Sequence, residues 1–309
     1  MTSGAIWHKA GPVLCILALL LAVWYAAAIA LNSTWAKDKA ARADKELTFS
    51  ELVSDTMAQE KPLLPAPHQV AQEIYKTTVL KKITSKRSLI WHGWITLSAT
   101  LLGFAFGTAL GVLLAIGIVY SRAMDMSVMP WVITSQTIPI LAVAPMIIVV
   151  LNAVGVSGLL PKAIISMYLS FFPVVVGMVK GLRAPDHMQL DQMRTWNASK
   201  NTSFWKLRLP SSMPYLFASL KIGIAASLVG AIVGELPTGA VAGLGARLLA
   251  GSYYGQTIQI WSALIMAAAL AAALSGDSWT STEQITAFMA EHAGASARTV
   301  AAISKVLKD

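Results

Sequence analysis

Six apolar runs divide the chain, at residues 12–31, 95–119, 128–151, 162–179, 215–236 and 256–274. Each approaches the ~20 residues an α-helix needs to cross the hydrocarbon of a bilayer. The pattern predicts an all-α, polytopic membrane helix bundle of six transmembrane helices, the sixth being the shortest and weakest. The small residues Ala28-Ile29-Ala30 look like a signal-peptide cleavage site. A signal peptide, however, has an apolar region of only ~7–15 residues, so a retained helix is expected. The organisation is then an amino-terminal span at 1–31, an extracytoplasmic amphipathic segment at 32–94, a spanning core at 95–274 and a tail at 275–309.

The polar stretches carry their own patterns. Segment 32–94 mixes ten Lys and Arg with seven Asp and Glu, and Leu64-Pro65-Ala66-Pro67 interrupts it. After the prolines, 68–79 places Val70, Ile74 and Thr77 or Thr78 on one side, the spacing of an amphipathic surface helix. Two spans carry small residues every fourth position. These are Ala99, Gly103, Gly107, Gly111 and Ala115 in the second, and Ser219, Gly223, Ser227 and Ala231 in the fifth. Residues four apart share a helix face, so these stripes predict close helix packing and no chemistry.

The third span differs. Pro139 and Pro145 sit in its middle, after Thr134, Ser135, Gln136 and Thr137. Proline removes a backbone donor and kinks or breaks a helix. Broken backbone at membrane depth is tolerated where protein buries it or where it lines a water-filled cavity. Gln136, Thr137, Pro139 and Pro145 are therefore candidates for a translocation pathway, weighed evenly against a simple kink. Glu235, at the outer end of the fifth span, joins them, though a structural pairing is the better reading of that end position.

Composition agrees with a membrane protein. The chain of 309 residues is 56% hydrophobic and 13% charged, against roughly 25% charged in soluble proteins. Mean hydropathy is +0.62. The net charge of +9 raises nucleic acid as a partner. The basic residues instead flank apolar runs and no nucleic-acid motif accompanies them, so the bilayer is the expected partner and nucleic acid is not. Cys15 is the only cysteine, and the five histidines form no His-x-x-x-His pair. Neither a disulfide within the chain nor a metal site is expected. No Gly-x-x-x-x-Gly-Lys-Ser/Thr is present and no nucleophile–base pair stands out, so no cofactor and no enzymatic activity are expected.

Charge sets the orientation. With the amino terminus inside, loop 180–214 holds Lys180, Arg183, Arg194, Lys200, Lys206 and Arg208 against Asp186 and Asp191, while outer loops 152–161 and 237–255 hold only Arg247. This fits the excess of basic residues expected in cytoplasmic loops. The cluster Lys81, Lys82, Lys86 and Arg87 falls outside and conflicts with it.

Loop 183–214 carries the most specific pattern. Counting back from Leu209-Pro210 places Leu207, Asn197 and Asp191 at the Ile, Gly and Glu positions of a known signature: Glu-Ala-Ala, three residues, Gly, nine residues, Ile-x-Leu-Pro. Both alanines are replaced, by Gln192 and Met193. The spacing resembles the coupling loop of bacterial ABC importer permeases. Other stretches resemble the nitrate, sulfonate and taurine type of that family, with the pyrimidine and thiamine-precursor subgroup nearest. They are Leu64-Pro65-Ala66-Pro67-His68-Gln69-Val70, the glycine stripe of the second span, the paired prolines, Val233-Gly234-Glu235-Leu236 and Gly243-Leu244-Gly245. The similarity runs in family order over about 62–274.

The resemblance implies a type I importer transmembrane fold in the bacterial inner membrane. It implies two permease subunits (a homodimer), a separate cytoplasmic ABC ATPase and a periplasmic solute-binding protein that delivers a small solute. Asp191, Gln192, Met193, Arg194, Asn197, Leu207, Leu209 and Pro210 would couple to the ATPase, on two short helices joined by a turn at Asn197. Asp191 would pair with the ATPase or cap a loop helix. Residues 275–309 depart from the family, whose members usually end in a longer sixth span and a short basic tail. The rival reading is an ion-coupled secondary transporter working without an ATPase. Such carriers place ionisable groups inside their spans, and here only Lys221 and Glu235 qualify, both near span ends.

Overall fold

The computed structural model describes residues 3–44, 48–237 and 242–276, with side chains from residue 11 onward. The sequence allows helices at 281–292 and 295–307 in the tail, and these lie outside the described residues. Those described form α1 (Ser3–Arg42), α2 (Phe49–Ala58), α3 (Pro67–Tyr75), α4 (Leu89–Tyr120), α5 (Arg122–Ser135), α6 (Ile140–Ala153), α7 (Leu159–Leu182), α8 (His187–Thr195), α9 (Lys200–Ser203), α10 (Leu209–Gly234), α11 (Leu244–Tyr253) and α12 (Thr257–Ser275). Single π-helical turns cover Lys76–Leu80 and Phe204–Arg208. Among the described residues five helices are long and apolar enough to cross a membrane, and α5 with α6 makes a sixth span if the bent pair crosses.

The described residues fall into two compact units, those of 1–97 with 235–269, and those of 98–234 with 270–276. In the first, α1 continues well past the apolar run to Arg42. The segment Trp35-Ala-Lys-Asp-Lys-Ala-Ala-Arg42 is rich in strong helix formers, and Lys39 and Arg42 suit the negative end of the helix dipole. Asn32, fully buried, fixes the chain that returns along α1. Its Oδ1 accepts from the Leu63 and Leu64 N–H groups at 2.8 and 3.2 Å, and its Nδ2 donates to the Leu64 carbonyl at 2.8 Å. Trp24 Nε1 donates to the Pro65 carbonyl at 3.0 Å, and Tyr25 stacks on His68. The expected amphipathic helix after the prolines is α3 with its π-turn, burying Val70 and Thr77.

In the second unit α4, α7 and α10 pack through their small residues. A Cβ on Gly103 would lie 2.4 Å from Ser166 Cβ, and one on Gly107 2.1 Å from Ser170 Oγ. Ser166 Oγ meets Ser227 Oγ at 2.6 Å, and Ser227 Oγ donates to the Thr100 carbonyl at 2.8 Å. Hydroxyls thus satisfy one another where the backbones come closest, an arrangement suited to a core without water. The stripes of the second and fifth spans do what their spacing predicts. The partner surface on α7 (Ala163, Ser166, Ser170, Gly177, Gly181) went unread in the sequence. An apolar cluster of Ala115, Ile118, Val132, Phe171, Val175, Met178, Val179 and Leu182 closes the opposite end, with Phe204, Leu209 and Leu216 packed against it.

The third span is broken where its prolines allow it, since α5 and α6 meet at 102°. Segment 237–255, read in the sequence only by its charge, contains the helix α11.

Candidate functional site

The loop between α7 and α10 is a helical hairpin. Asp186 occupies the N-cap position of α8, and its backbone N–H donates to Gln189 Oε1 at 3.2 Å. The reciprocal pairing of an N-cap acid with a Gln three residues on is a strong start signal for a helix. Asp191 therefore does not cap the helix. It lies mid-helix and pairs with Arg194 at 2.8 Å on the solvent face, an exposed i,i+3 pair that adds little stability. Asn197 ends α8 with φ +50°, the left-handed conformation glycine adopts freely and Asn tolerates better than most residues. Ser199 Oγ then accepts from the Thr202 N–H at 3.1 Å to begin α9.

Leu207, Leu209 and Pro210 do not form a break between helices. The chain is helical from Lys200 to Gly234, and Pro210 is the second residue of α10. The π-turn Phe204–Arg208 precedes it, and there the Leu209 N–H bonds to the Phe204 carbonyl. Proline has no N–H to continue the ordinary ladder, and a one-turn π-bulge absorbs the mismatch. Met193, Leu207 and Leu209 are half-buried, while Asp191, Gln192, Arg194, Asn197 and Pro210 are exposed.

The hairpin's base is tied to the spans at several points. Arg208 Nη1 donates to the Leu182 carbonyl at 2.8 Å, satisfying the last residue of α7. Arg183 pairs with Asp125 in the first turn of α5 at 2.9 Å. Phe204 packs edge-on against Tyr120 at the end of α4. These ties were missed in the sequence, where Arg183 and Arg208 counted only as loop charge. The outward face carries Met188 at 78% exposure and Trp196 at 49%.

The break between α5 and α6 falls at Gln136–Pro139. Pro139 is the N-cap of α6, whereas Pro145 lies inside α6 and Pro130 inside α5, without breaking either helix. Only Pro139 acts as the expected breaker. The freed carbonyl of Ser135 accepts from the Tyr168 hydroxyl, and Thr137 Oγ1 donates to the Thr134 carbonyl at 2.8 Å. Thr137, Ile138 and Pro139 are exposed and Gln136 is half-buried.

Glu235 belongs to the other unit and is fully buried. Its Oε2 accepts from Thr96 Oγ1 and from the Gly245 N–H, both at 2.9 Å. Thr96 Oγ1 in turn accepts from the Leu244 N–H at 2.9 Å, and His92 Nδ1 from the Gly243 N–H at 3.0 Å. These are the donors that the start of α11 cannot satisfy internally, and a carboxylate is favoured at that positive helix end. Gly243 has φ +133°, and a Cβ there would fall 2.1 Å from Glu235 Oε1, so the Gly-Leu-Gly is there for close approach. Among the described residues no cluster of His, Cys, Asp and Glu has the arrangement of a metal site.

The family model for the inner membrane component of binding-protein-dependent transport systems matches residues 107–276, a region that contains the hairpin, the broken span and the packed α7–α10 core. The chain belongs to that family. A probable ABC transporter permease protein of Haemophilus influenzae is 28% identical over 66% of this chain and 78% of its own length. The formylaminopyrimidine transport permease of Halalkalibacterium halodurans is 31% identical over 62% of this chain and 72% of its own. The nitrate import permease of Synechocystis is 26% identical over 58% and 64%. The protein is accordingly a multi-pass inner-membrane permease subunit of an ABC import system for a small solute. The comparisons lend no support to an ion-coupled carrier.

Proposed function

We propose that the α8–α9 hairpin is the docking element for the ATPase, and that the break at Gln136–Pro139 lines the solute pathway between two copies of this chain. In this reading the amino terminus and residues 183–214 face the cytoplasm, and the binding protein delivers solute to the opposite face. The observation that carries the first part is the contrast between the hairpin's two sides. Its base is anchored by Arg208, Arg183 and Phe204, while Met188 in the first turn of α8 and Trp196 at the turn are left exposed to solvent. Large apolar side chains exposed on an otherwise polar hairpin suit a partner surface. Rigid anchoring lets a push on α8 reach α5, α7 and α10 as a body movement.

The second part rests on the broken backbone at Thr137–Pro139. Irregular backbone does not face lipid, so its exposure in one copy calls for covering protein or a water-filled path. A facing second copy supplies both.

Asp191→Lys tests the docking. A charge inside such an interface contributes about 2–5 kcal/mol, and a rim charge much less. Co-purification of the cognate ATPase and substrate uptake should both fall, with the permease still inserted. Normal ATPase capture together with normal uptake would remove Asp191 from the interface.

A further inference from the structure

Segment 68–88 and α11 enclose a cleft of about 550 Å³ that neither the pathway nor the hairpin uses. Its lining includes Lys76, Lys81, Lys86, Arg87 and Arg247 against one carboxylate, Glu73. Arg247 is built into the wall, with 9% of its side chain exposed. Its Nη1 donates to the Arg87 carbonyl at 3.1 Å and its Nη2 reaches Glu73 Oε1 at 3.4 Å. Its Nε, buried, has no hydrogen-bond partner among the described residues. Burial pushes the Arg247 pKa down, and Glu73 only partly offsets this. A buried, under-satisfied guanidinium among further cations is costly unless an anion completes it.

The cleft wall is held firmly. His92 Nε2 donates to the Lys86 carbonyl while Nδ1 accepts from Gly243, so one ring links the basic segment to the start of α11. Glu235 and Thr96 fix the next turn of α11.

What surrounds the cleft says which anion it takes. The lining includes His92, Gln256 and Gln259, at the starts of α4 and α12, both long and apolar enough to span a membrane, so the cleft sits beside the ends of two candidate spans. Val79, Leu80 and Ile83 are exposed and interleaved with the lysines, and Tyr75, Trp94, Tyr253 and Tyr254 are exposed nearby in the chain. Exposed aliphatic side chains among cations, flanked by aromatic residues, are the composition of a surface at lipid headgroups. A soluble anion needs no apolar border.

We propose that this cleft binds the phosphate of an anionic phospholipid headgroup, with the Arg247 guanidinium as its fixed element and Lys81, Lys86 and Arg87 as the mobile cations. The basic cluster that conflicts with the charge rule is then neutralised by lipid on its own side of the membrane. The proposal needs only that the chain spans the membrane. It does not depend on the hairpin meeting an ATPase.

Native mass spectrometry of the purified full-length permease tests it, with titration of phosphatidylglycerol, phosphatidylcholine or inorganic phosphate. Phosphatidylglycerol should bind preferentially. The double variant Lys81→Gln/Lys86→Gln should bind it on the order of 10-fold more weakly, since each basic side chain at a lipid surface contributes severalfold. The pair Lys37→Gln/Arg42→Gln, exposed on α1, should leave binding unchanged. Both lysines are outside the buried wall, so the double variant does not depend on Arg247 tolerating replacement. Equal binding of phosphatidylcholine, or undiminished phosphatidylglycerol binding in the double variant, overturns the proposal. Displacement of the lipid by millimolar inorganic phosphate would make the ligand a free oxyanion. Loss of solute-binding-protein capture with lipid binding intact would make it an acidic protein face. Either result overturns the lipid assignment.

Discussion

Glu235→Gln keeps the shape of a fully buried side chain and removes its charge. In the native chain Oε2 accepts from Thr96 Oγ1 and the Gly245 N–H at 2.9 Å, and Oε1 lies 3.1 Å from Thr96 Oγ1. The amide oxygen can keep the Gly245 bond. The amide NH2 then faces Thr96, whose hydroxyl proton must turn to the His92 carbonyl at 3.2 Å. The network survives with neutral bonds in place of charge-assisted ones. A hydrogen bond to a charged group contributes about 1.5–3 kcal/mol and a neutral one about 0.5–1.5. With two bonds affected, the loss should be about 1–3 kcal/mol. Glu235→Ala leaves the Gly245 N–H without its acceptor and opens a void, so about 3–5 kcal/mol is expected. Thermal unfolding of the purified permease, followed by tryptophan fluorescence, should rank wild type above Gln above Ala. Uptake per folded molecule should stay near wild type in the Gln variant. An unchanged unfolding temperature with abolished uptake would refute this reasoning and make Glu235 a solute contact.

Gly103→Leu should separate α4 from α7, because even a Cβ would fall 2.6 Å from the Ala163 carbonyl; size-exclusion profiles should show loss of folded permease, at a cost of at least about 1–3 kcal/mol. Tyr168→Phe removes the donor to the Ser135 carbonyl at the break, an effect of about 1–3 kcal/mol if no water replaces it; uptake should fall while membrane insertion stays normal. Single cysteines at Asp44 and Ser199, both exposed, should label from opposite sides of the membrane.

The spans were readable because a helix crossing lipid must be apolar for about twenty residues, whatever its neighbours. The small-residue stripes were readable for a related reason, since close packing leaves a fixed spacing on one face. The conformation at Asn197 follows from residue type and position in the signature. Other features depend on partners distant in sequence. Nothing near Glu235 announces Thr96, which lies 139 residues away. Asn32 reads as the end of an apolar run until the returning chain at Leu63 and Leu64 is seen. The prolines of the third span were visible, but which one breaks the helix was not. Pro145 sits in the second turn of α6, and Pro139 at its start, where the bend occurs. The helix that runs unbroken through Pro210 was not legible either, because the π-turn that accommodates the proline leaves no mark in composition.

The most direct measurement is site-specific photo-crosslinking from the hairpin in intact membranes. A photoreactive phenylalanine at Met188, on the exposed face of α8, is compared with one at Val154, exposed between α6 and α7. Adducts with the cognate ATPase should form from position 188 and not from 154. ATPase adducts from 154, or none from 188 when the complex is active, would contradict the assignment of the hairpin as the coupling element.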